Sequence, residues 1–98
     1  MMGDVLVASF TVRVELHDPS PDSYDVLHEA MEYAGFERTV VISGVTYRLP
    51  TAEYILPGAN TMMGCLTKAR TAAKKTKLRH SILVTDSKRR LGFGLDEV

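Results

Sequence analysis

Apolar and polar residues alternate strictly near the start of the chain, over residues 6–18 (LVASFTVRVELHD). Every even position from 6 to 16 is apolar, and every odd position from 9 to 17 is polar. A period of two residues is typical of a β-strand with one face toward a core and the other toward solvent. We therefore predict a first strand here, with an open polar face formed by Ser9, Thr11, Arg13, Glu15 and His17.

Two later segments space their apolar residues three and four positions apart, as amphipathic helices do. The first apolar stripe comprises Tyr24, Leu27, Met31 and Ala34. The second comprises Met62, Leu66, Ala69 and Ala73, with Cys65 and Ala72 beside it. The face opposite the stripe is acidic in the first helix, where a solvated surface is the simplest interpretation. It is basic in the second helix, where the run from Lys68 to Arg79 indicates either a solvated surface or an anionic partner.

Local signals predict where the two helices begin and end. Ser20 followed by Pro21 indicates an N-cap and a first-turn proline, and Gly35 indicates the end of the first helix. Asn60 or Thr61 is expected to cap the second helix, after a Pro-Gly pair that ends the preceding strand.

Four more extended segments follow the first strand. Residues 36–42 are rich in β-branched residues, and Ser43-Gly44 is a turn signal, so a hairpin with a third strand is expected there. That strand should be bulged or broken at Pro50, because proline donates no ladder hydrogen bond, before it resumes at residues 52–56. An alternative places the hairpin turn at Pro50-Thr51. Residues 77–85 predict a fourth strand and residues 91–95 a weaker terminal one, joined by a basic turn over residues 86–90.

The predicted order β-α-β-β-α-β indicates an α+β, ferredoxin-like fold in one domain over residues 1–98. Right-handed crossovers then put the first and third strands at the centre of an antiparallel sheet, with both helices on one face. The terminal segment over residues 91–95 would add an extra C-terminal strand. A sheet edge of this kind allows either a monomer or a homodimer.

Composition places the chain among globular proteins, with 45% hydrophobic and 24% charged residues. Cys65 is the single cysteine, so no intrachain disulfide or cysteine-based zinc site is expected. The start of the sequence lacks a basic segment before a short apolar run, and no stretch approaches the roughly 20 apolar residues of a membrane span. We therefore expect a cytoplasmic protein that does not enter a membrane.

The formal net charge of zero hides a strong asymmetry along the chain. Residues 1–36 contain seven acidic residues and one basic residue, whereas residues 67–90 contain nine basic residues and one acidic residue. Such a partition predicts either an anionic ligand on the basic part or a self-complementary contact between oppositely charged surfaces.

The candidate catalytic residues are His17 and Asp18, at the end of the first strand. A histidine has an ordinary pKa of about 6.5 and can act as acid or base at neutral pH. The adjacent side chains could form a site only if the chain turns, which Pro19 favours, and Asp18 is better explained as a cap or turn residue at Pro19. His28 borders the first helix stripe and His80 begins the fourth strand.

Other chemistry is not indicated by the sequence. It contains no phosphate loop, dinucleotide fingerprint or His/Cys/Asp cluster with metal-ligand spacing, so no cofactor or metal is expected. Cys65 is interpreted as core packing. Tyr47, Tyr54 and Phe93 are candidates for stacking on the bases of single-stranded nucleic acid, or else core aromatics.

Three parts of the sequence resemble a known family: FTVRVELHD, GFERT and YRLPTAEY, within a likeness that runs from about Ser9 to Leu95. They are similar to the GhoS-type antitoxin endoribonucleases of bacterial type V toxin–antitoxin systems. The resemblance implies a ferredoxin-like fold and metal-independent cleavage of the messenger RNA of a small membrane toxin. Related subunits of CRISPR adaptation complexes place an aspartate near the end of the first strand, where this chain has Asp18.

Two hypotheses about function follow. The first is an endoribonuclease that holds single-stranded RNA across the open sheet face, with His17 or Asp18 as its base. Its phosphate-binding residues would be Arg13, Arg38, Arg48, Lys88, Arg89 and Arg90. The second is a non-catalytic module of phage or mobile-element origin that binds RNA or protein through the same surfaces.

Overall fold

The computed structural model describes residues 9–58, 61–86 and 90–98. Within these ranges the chain forms five strands and two α-helices. The strands are β1 (Phe10–Leu16), β2 (Thr39–Ile42), β3 (Val45–Arg48), β4 (Glu53–Leu56) and β5 (His80–Asp86). The helices are α1 (Ser23–Tyr33) and α2 (Met62–Ala73), and a short 3-10 turn, Lys74–Thr76, follows α2.

The central sheet has the strand order β4-β1-β5, and β1 is antiparallel to both neighbours. The pair β2-β3 forms a separate ladder, which a bridge between Glu37 and Ile55 connects to the free edge of β4. Both helices pack on one face of the sheet, against a core that β1 crosses. This is the predicted α+β, ferredoxin-like βαββαβ arrangement. Strand β4, which pairs with β1, is the part of the predicted third strand that follows Pro50.

Alternation along β1 is confirmed by its burial. Phe10, Val12, Val14 and Leu16 are buried beneath the helices, while Arg13 and Glu15 on the other face are exposed. The pleat makes this segregation unavoidable once one face meets the helices, because successive side chains point to opposite sides.

The hairpin turn lies at Ser43-Gly44, where both residues have positive φ (51° and 81°) as a two-residue turn of the primed type requires. The third strand is broken at Pro50, as predicted. Leu49 donates its N–H to the Arg38 carbonyl at 2.8 Å, and the ladder then gives way to a turn in which Glu53 donates to the Pro50 carbonyl at 2.9 Å. The alternative hairpin turn at Pro50-Thr51 is therefore wrong.

Helix α1 begins two residues later than Ser20 indicates. Asp22 is the N-cap and makes no side-chain capping bond. Ser20 instead donates its N–H to the Ser23 hydroxyl at 2.8 Å, and Ser23 donates its N–H to the Ser20 carbonyl at 3.1 Å. These reciprocal bonds make Ser20 part of the turn before the helix. Gly35 ends the helix as predicted, with φ 99°.

Helix α2 is capped by Thr61, whose hydroxyl accepts the Gly64 N–H at 2.9 Å. Its buried residues are Cys65, Ala69, Ala72 and Ala73. The small alanines let α2 approach the sheet closely. Met62, predicted to face inward, is 46% exposed, because the first turn of α2 extends past the core.

The sheet face opposite the helices is only partly open. A second, smaller core of Val40, Leu49 and Ile55 lies there, and Tyr47 and Leu95 pack against it. No strand forms over residues 91–95, so the predicted extra strand is wrong within the described tail. Instead Glu97 makes a single bridge to Tyr47. The open turn that Gly94 makes at φ 73° is unsuited to a regular strand.

Candidate nucleic-acid interface

His17 lies on the sheet face opposite the helices, immediately after the last residue of β1. Its N–H donates to the Arg79 carbonyl at 2.8 Å, which continues the β1-β5 pairing by one residue. Because Leu16 points into the core, the His17 side chain projects from the other face. Its Nε2 lies 3.0 Å from the Ser81 hydroxyl, and the tautomer of the ring decides which of the two donates.

Asp18 follows in the left-handed region, with φ 51°, so the chain does turn at this point as the sequence indicates. In the part of the chain that the structure describes, no hydrogen bond joins the Asp18 carboxylate to the His17 ring. The chain turns after His17, but the turn does not bring the side chains of the two catalytic candidates into a hydrogen bond with each other.

The open surface beside His17 is mixed in character. Arg13 has a side chain 62% exposed and lies 4.0 Å from the Glu53 carboxylate, a distance at the limit of an ion pair. Opposite Arg13 in the register stands Leu83, which is 64% exposed. A shallow cavity of about 210 Å³ is lined here by Arg13, Glu15, Ser81 and Leu83 together with Ile82. A ligand on this surface would meet a cation, a carboxylate, a hydroxyl and an apolar side chain.

Strand pairing adds two residues that sequence reasoning missed, Ser81 and Arg79. Both lie opposite the end of β1, Ser81 across from Glu15 and Arg79 across from His17. The signal that could have revealed them is the antiparallel register of β1 with β5. That register depends on which apolar residues of β5 face the core. The apolar residues of β5 are consecutive and do not alternate with polar ones, so the sequence does not show which of them face inward.

Arg90 lies toward the other end of β1. Its guanidinium donates to the hydroxyls of Ser9 and Thr11, both at 3.3 Å, and burial lowers its pKa. Its Nε is buried and has no hydrogen-bond partner among the described residues. Thr11 and His17 are six strand residues apart, or about 20 Å. Arg90 is therefore not a neighbour of the His17 site.

Arg38 and Arg48 are near a different histidine. Both are close enough to His28 for their positive charges to lower its pKa, although burial is the larger cause. His28 is a residue of α1 that is buried against the sheet, and its Nδ1 is 2.6 Å from the hydroxyl of Tyr54, a fully buried residue of β4. Both arginines therefore lie within electrostatic reach of the contact between α1 and β4. Lys88 and Arg89 lie outside the described residues.

Of the three aromatic candidates, Phe93 remains available for stacking. Its side chain is fully exposed on the tail, beside a cavity of about 430 Å³ that Arg90 and Thr11 also line. Tyr54 is buried, so the stacking role is wrong for that residue. Tyr47 is half-buried against the second core.

Cys65 is a core residue, as predicted. It is fully buried, and burial raises the pKa of its thiol, so the nucleophilic thiolate is disfavoured.

Within residues 9–58, 61–86 and 90–98, no group of three or more His, Cys, Asp or Glu side chains is arranged to hold a metal ion. Neither described helix has the length and apolar character needed to cross a bilayer. Comparison of the chain with protein-family profiles, curated proteins and solved structures gave no match.

Proposed function

We propose that the protein is a GhoS-like antitoxin endoribonuclease, which binds a single-stranded toxin mRNA across the sheet face and cleaves it by metal-independent chemistry. One observation carries the proposal. The partly exposed imidazole of His17 lies at hydrogen-bond distance from the Ser81 hydroxyl, on a sheet face that carries both polar and apolar side chains. Arg79 lies across from it, and Arg13 lies further along the same strand.

The reaction uses the 2′-hydroxyl of the RNA as its nucleophile. His17 removes the proton from this hydroxyl, and the 2′-oxygen bonds to phosphorus while the bond from phosphorus to the 5′-oxygen breaks. The 5′-oxygen leaves with a proton from water, which yields a 2′,3′-cyclic phosphate and a 5′-hydroxyl. Ser81 holds the imidazole in place, and the cations of Arg13 and Arg79 oppose the charge that develops on phosphorus. Asp18 is the second candidate for the base.

The test is an assay of purified protein on matched single-stranded RNA and DNA in the presence of EDTA. We expect the RNA to be cut and to carry 2′,3′-cyclic phosphate ends, and the DNA to remain intact because it lacks the nucleophile. Cleavage of the DNA, or of RNA only when a divalent ion is supplied, would contradict this mechanism. A neighbouring gene for a short hydrophobic peptide would support the toxin–antitoxin role.

The second candidate is a non-catalytic module of phage or mobile-element origin that binds RNA or protein. It is favoured by the spread of the cationic residues, since Arg90 lies about 20 Å from His17 and Arg38 and Arg48 lie near His28. Protein that binds RNA in the same assay but never cuts it would support this candidate and exclude the enzyme.

A further inference from the structure

The helix layer presents two oppositely charged faces side by side. The exposed acidic residues of the α1 side are Asp22, Asp25, Glu29 and Glu32. The exposed basic residues of the α2 side are Lys68, Arg70, Lys74 and Lys75. All lie on the surface opposite the sheet, and therefore away from the His17 site.

An apolar groove runs between the two helices. It consists of two adjoining cavities of about 360 and 310 Å³, both lined by Ala30, Tyr33 and Lys75. Tyr33 is 87% exposed and Val26 is 45% exposed, so large apolar side chains border the groove without cover. Exposed apolar surface with a charged rim is typical of protein–protein contacts.

Two opposite charges that border this groove, those of Glu29 and Lys75, are not paired with each other. The ion pair between Arg13 and Glu53 lies on the other side of the molecule. Glu29 and Lys75 line the same cavity, yet the Lys75 ammonium lies 5.0 Å from the centre of the Tyr33 ring. The Glu29 carboxylate and the Lys75 ammonium are therefore available to a partner.

We propose that this face binds a second copy of the chain, about a twofold axis that runs along the groove parallel to the helices. Helices α1 and α2 are antiparallel, because each reverses the direction of the preceding strand and the strands β1 and β4 are antiparallel. Rotation about this axis places α1 of each protomer on α2 of its partner, so acidic residues meet basic ones twice.

Charge also excludes the other arrangements. A twofold axis in the same plane but perpendicular to the helices would place α1 on α1 and α2 on α2, with like charges opposed. A nucleic acid drawn to α2 would be repelled by the acidic face of α1 across the groove. The dimer leaves both sheet faces outward, and it does not depend on the proposed RNA cleavage.

The experiment measures the oligomeric state of the full chain at low ionic strength by sedimentation velocity. One variant has an acidic-to-basic reversal, Glu29→Lys with Glu32→Lys, and the other has the opposite reversal, Lys68→Glu with Lys75→Glu. We expect the wild type to dimerise and each variant alone to be monomeric. An equimolar mixture of the two variants should dimerise again, because every helix pair in the mixed dimer then joins opposite charges.

Circular dichroism confirms that the variants are folded, and Arg13→Glu on the sheet face is a control that should dimerise like the wild type. Added salt should weaken the dimer, since the rim charges are exposed. A wild type that remains monomeric, a dimer that persists in both reversed variants, or a mixture that stays monomeric would each overturn the proposal. Persistence in both variants would mean that another surface forms the contact.

Discussion

The His28 imidazole connects α1 to the sheet through a buried polar contact with the hydroxyl of Tyr54. The ring of Tyr24 lies beside it, with centroids 6.3 Å apart, and the Tyr24 hydroxyl accepts the N–H of Leu16 at 3.1 Å. These three side chains thus join the helix to both β1 and β4. Buried polar groups are tolerated when they are paired, and here each has a partner.

This contact makes stability sensitive to acid. Burial, followed by the positive charge of Arg38, lowers the pKa of His28, and the smaller effects of Asp25 and Glu32 act in the other direction. Below pH of about 6.5 the unfolded chain binds a proton at this histidine that the folded chain does not. The free energy of unfolding is therefore expected to fall as the pH drops from 6.5 through the lower pKa of the folded state.

The check compares urea unfolding of the wild type and His28→Gln at pH 7 and pH 5. Glutamine can still contact the Tyr54 hydroxyl but takes up no proton. We expect the wild type to lose more stability than the variant between the two pH values. An equal loss in both proteins would mean that His28 is not responsible for the acid sensitivity.

His17 is the residue on which the proposed reaction depends. His17→Ala should lower the rate of RNA cleavage by roughly 10²–10⁴-fold, the usual contribution of a general base, with RNA affinity nearly unchanged. Ser81→Ala is the companion variant, and should lower the rate less because the hydroxyl only positions the ring. Unchanged cleavage in His17→Ala, measured by single-turnover kinetics, would remove this residue from the mechanism.

At the scale of elements, β1 shows how one strand serves a core and a surface. Val12 is completely buried, so Val12→Asp should destabilise the fold by about 3–5 kcal/mol, because an unpaired charge enters the core. Thr11 lies on the other face, within 3.3 Å of the Arg90 guanidinium. Thr11→Asp should change the stability by less than about 1 kcal/mol, since the new carboxylate is near a cation.

Urea denaturation of both variants beside the wild type measures this difference. Equal destabilisation by the two substitutions would contradict the assignment of the two faces of β1.

The helices show where local signals are sufficient and where they are not. Gly35 and Thr61 mark helix ends correctly, because a positive φ and a capping hydroxyl act within a few residues. Ser20 is misleading, since its backbone and side chain pair with Ser23 in a turn before α1. Met62 fits the apolar stripe of α2 but is exposed, because periodicity does not show how far the core extends.

At the scale of the molecule, the positive charge is distributed over several surfaces. If RNA binds the sheet face, its affinity should fall with salt by about 0.7 log units per log unit for each phosphate neutralised. The double variant Arg13→Ala with Arg79→Ala should weaken binding and reduce this slope. The matched control, Arg70→Ala with Lys74→Ala, removes the same charge from the helix layer and should have the smaller effect. Fluorescence anisotropy against salt measures both, and an equal loss would move the site to the helix layer.

The second core decides how much of the sheet face a ligand can reach. The β2-β3 hairpin and the tail cover the end near Ile55, whereas the surface around Arg13 and Leu83 stays exposed. The sequence predicted one continuous open face. Alternation in β1 indicates which side chains point away from the helices. It does not show that a residue some 80 positions later, Arg90, covers part of that face.

The sequence by itself determined most of the elements and the inward faces of β1 and α1. The period of β1, the stripe of α1, the turn at Ser43-Gly44 and the break at Pro50 all depend on interactions within a few residues, which the local sequence specifies. The βαββαβ order followed from these elements and from the handedness of crossovers.

Only the tertiary structure decided which distant residues meet. It placed Ser81 beside His17, buried His28 against Tyr54, and separated Arg90 from the His17 site. These outcomes depend on strand register and on packing between elements far apart in the chain. Register is fixed by burial of the whole set of apolar side chains at once, and no single segment contains that information.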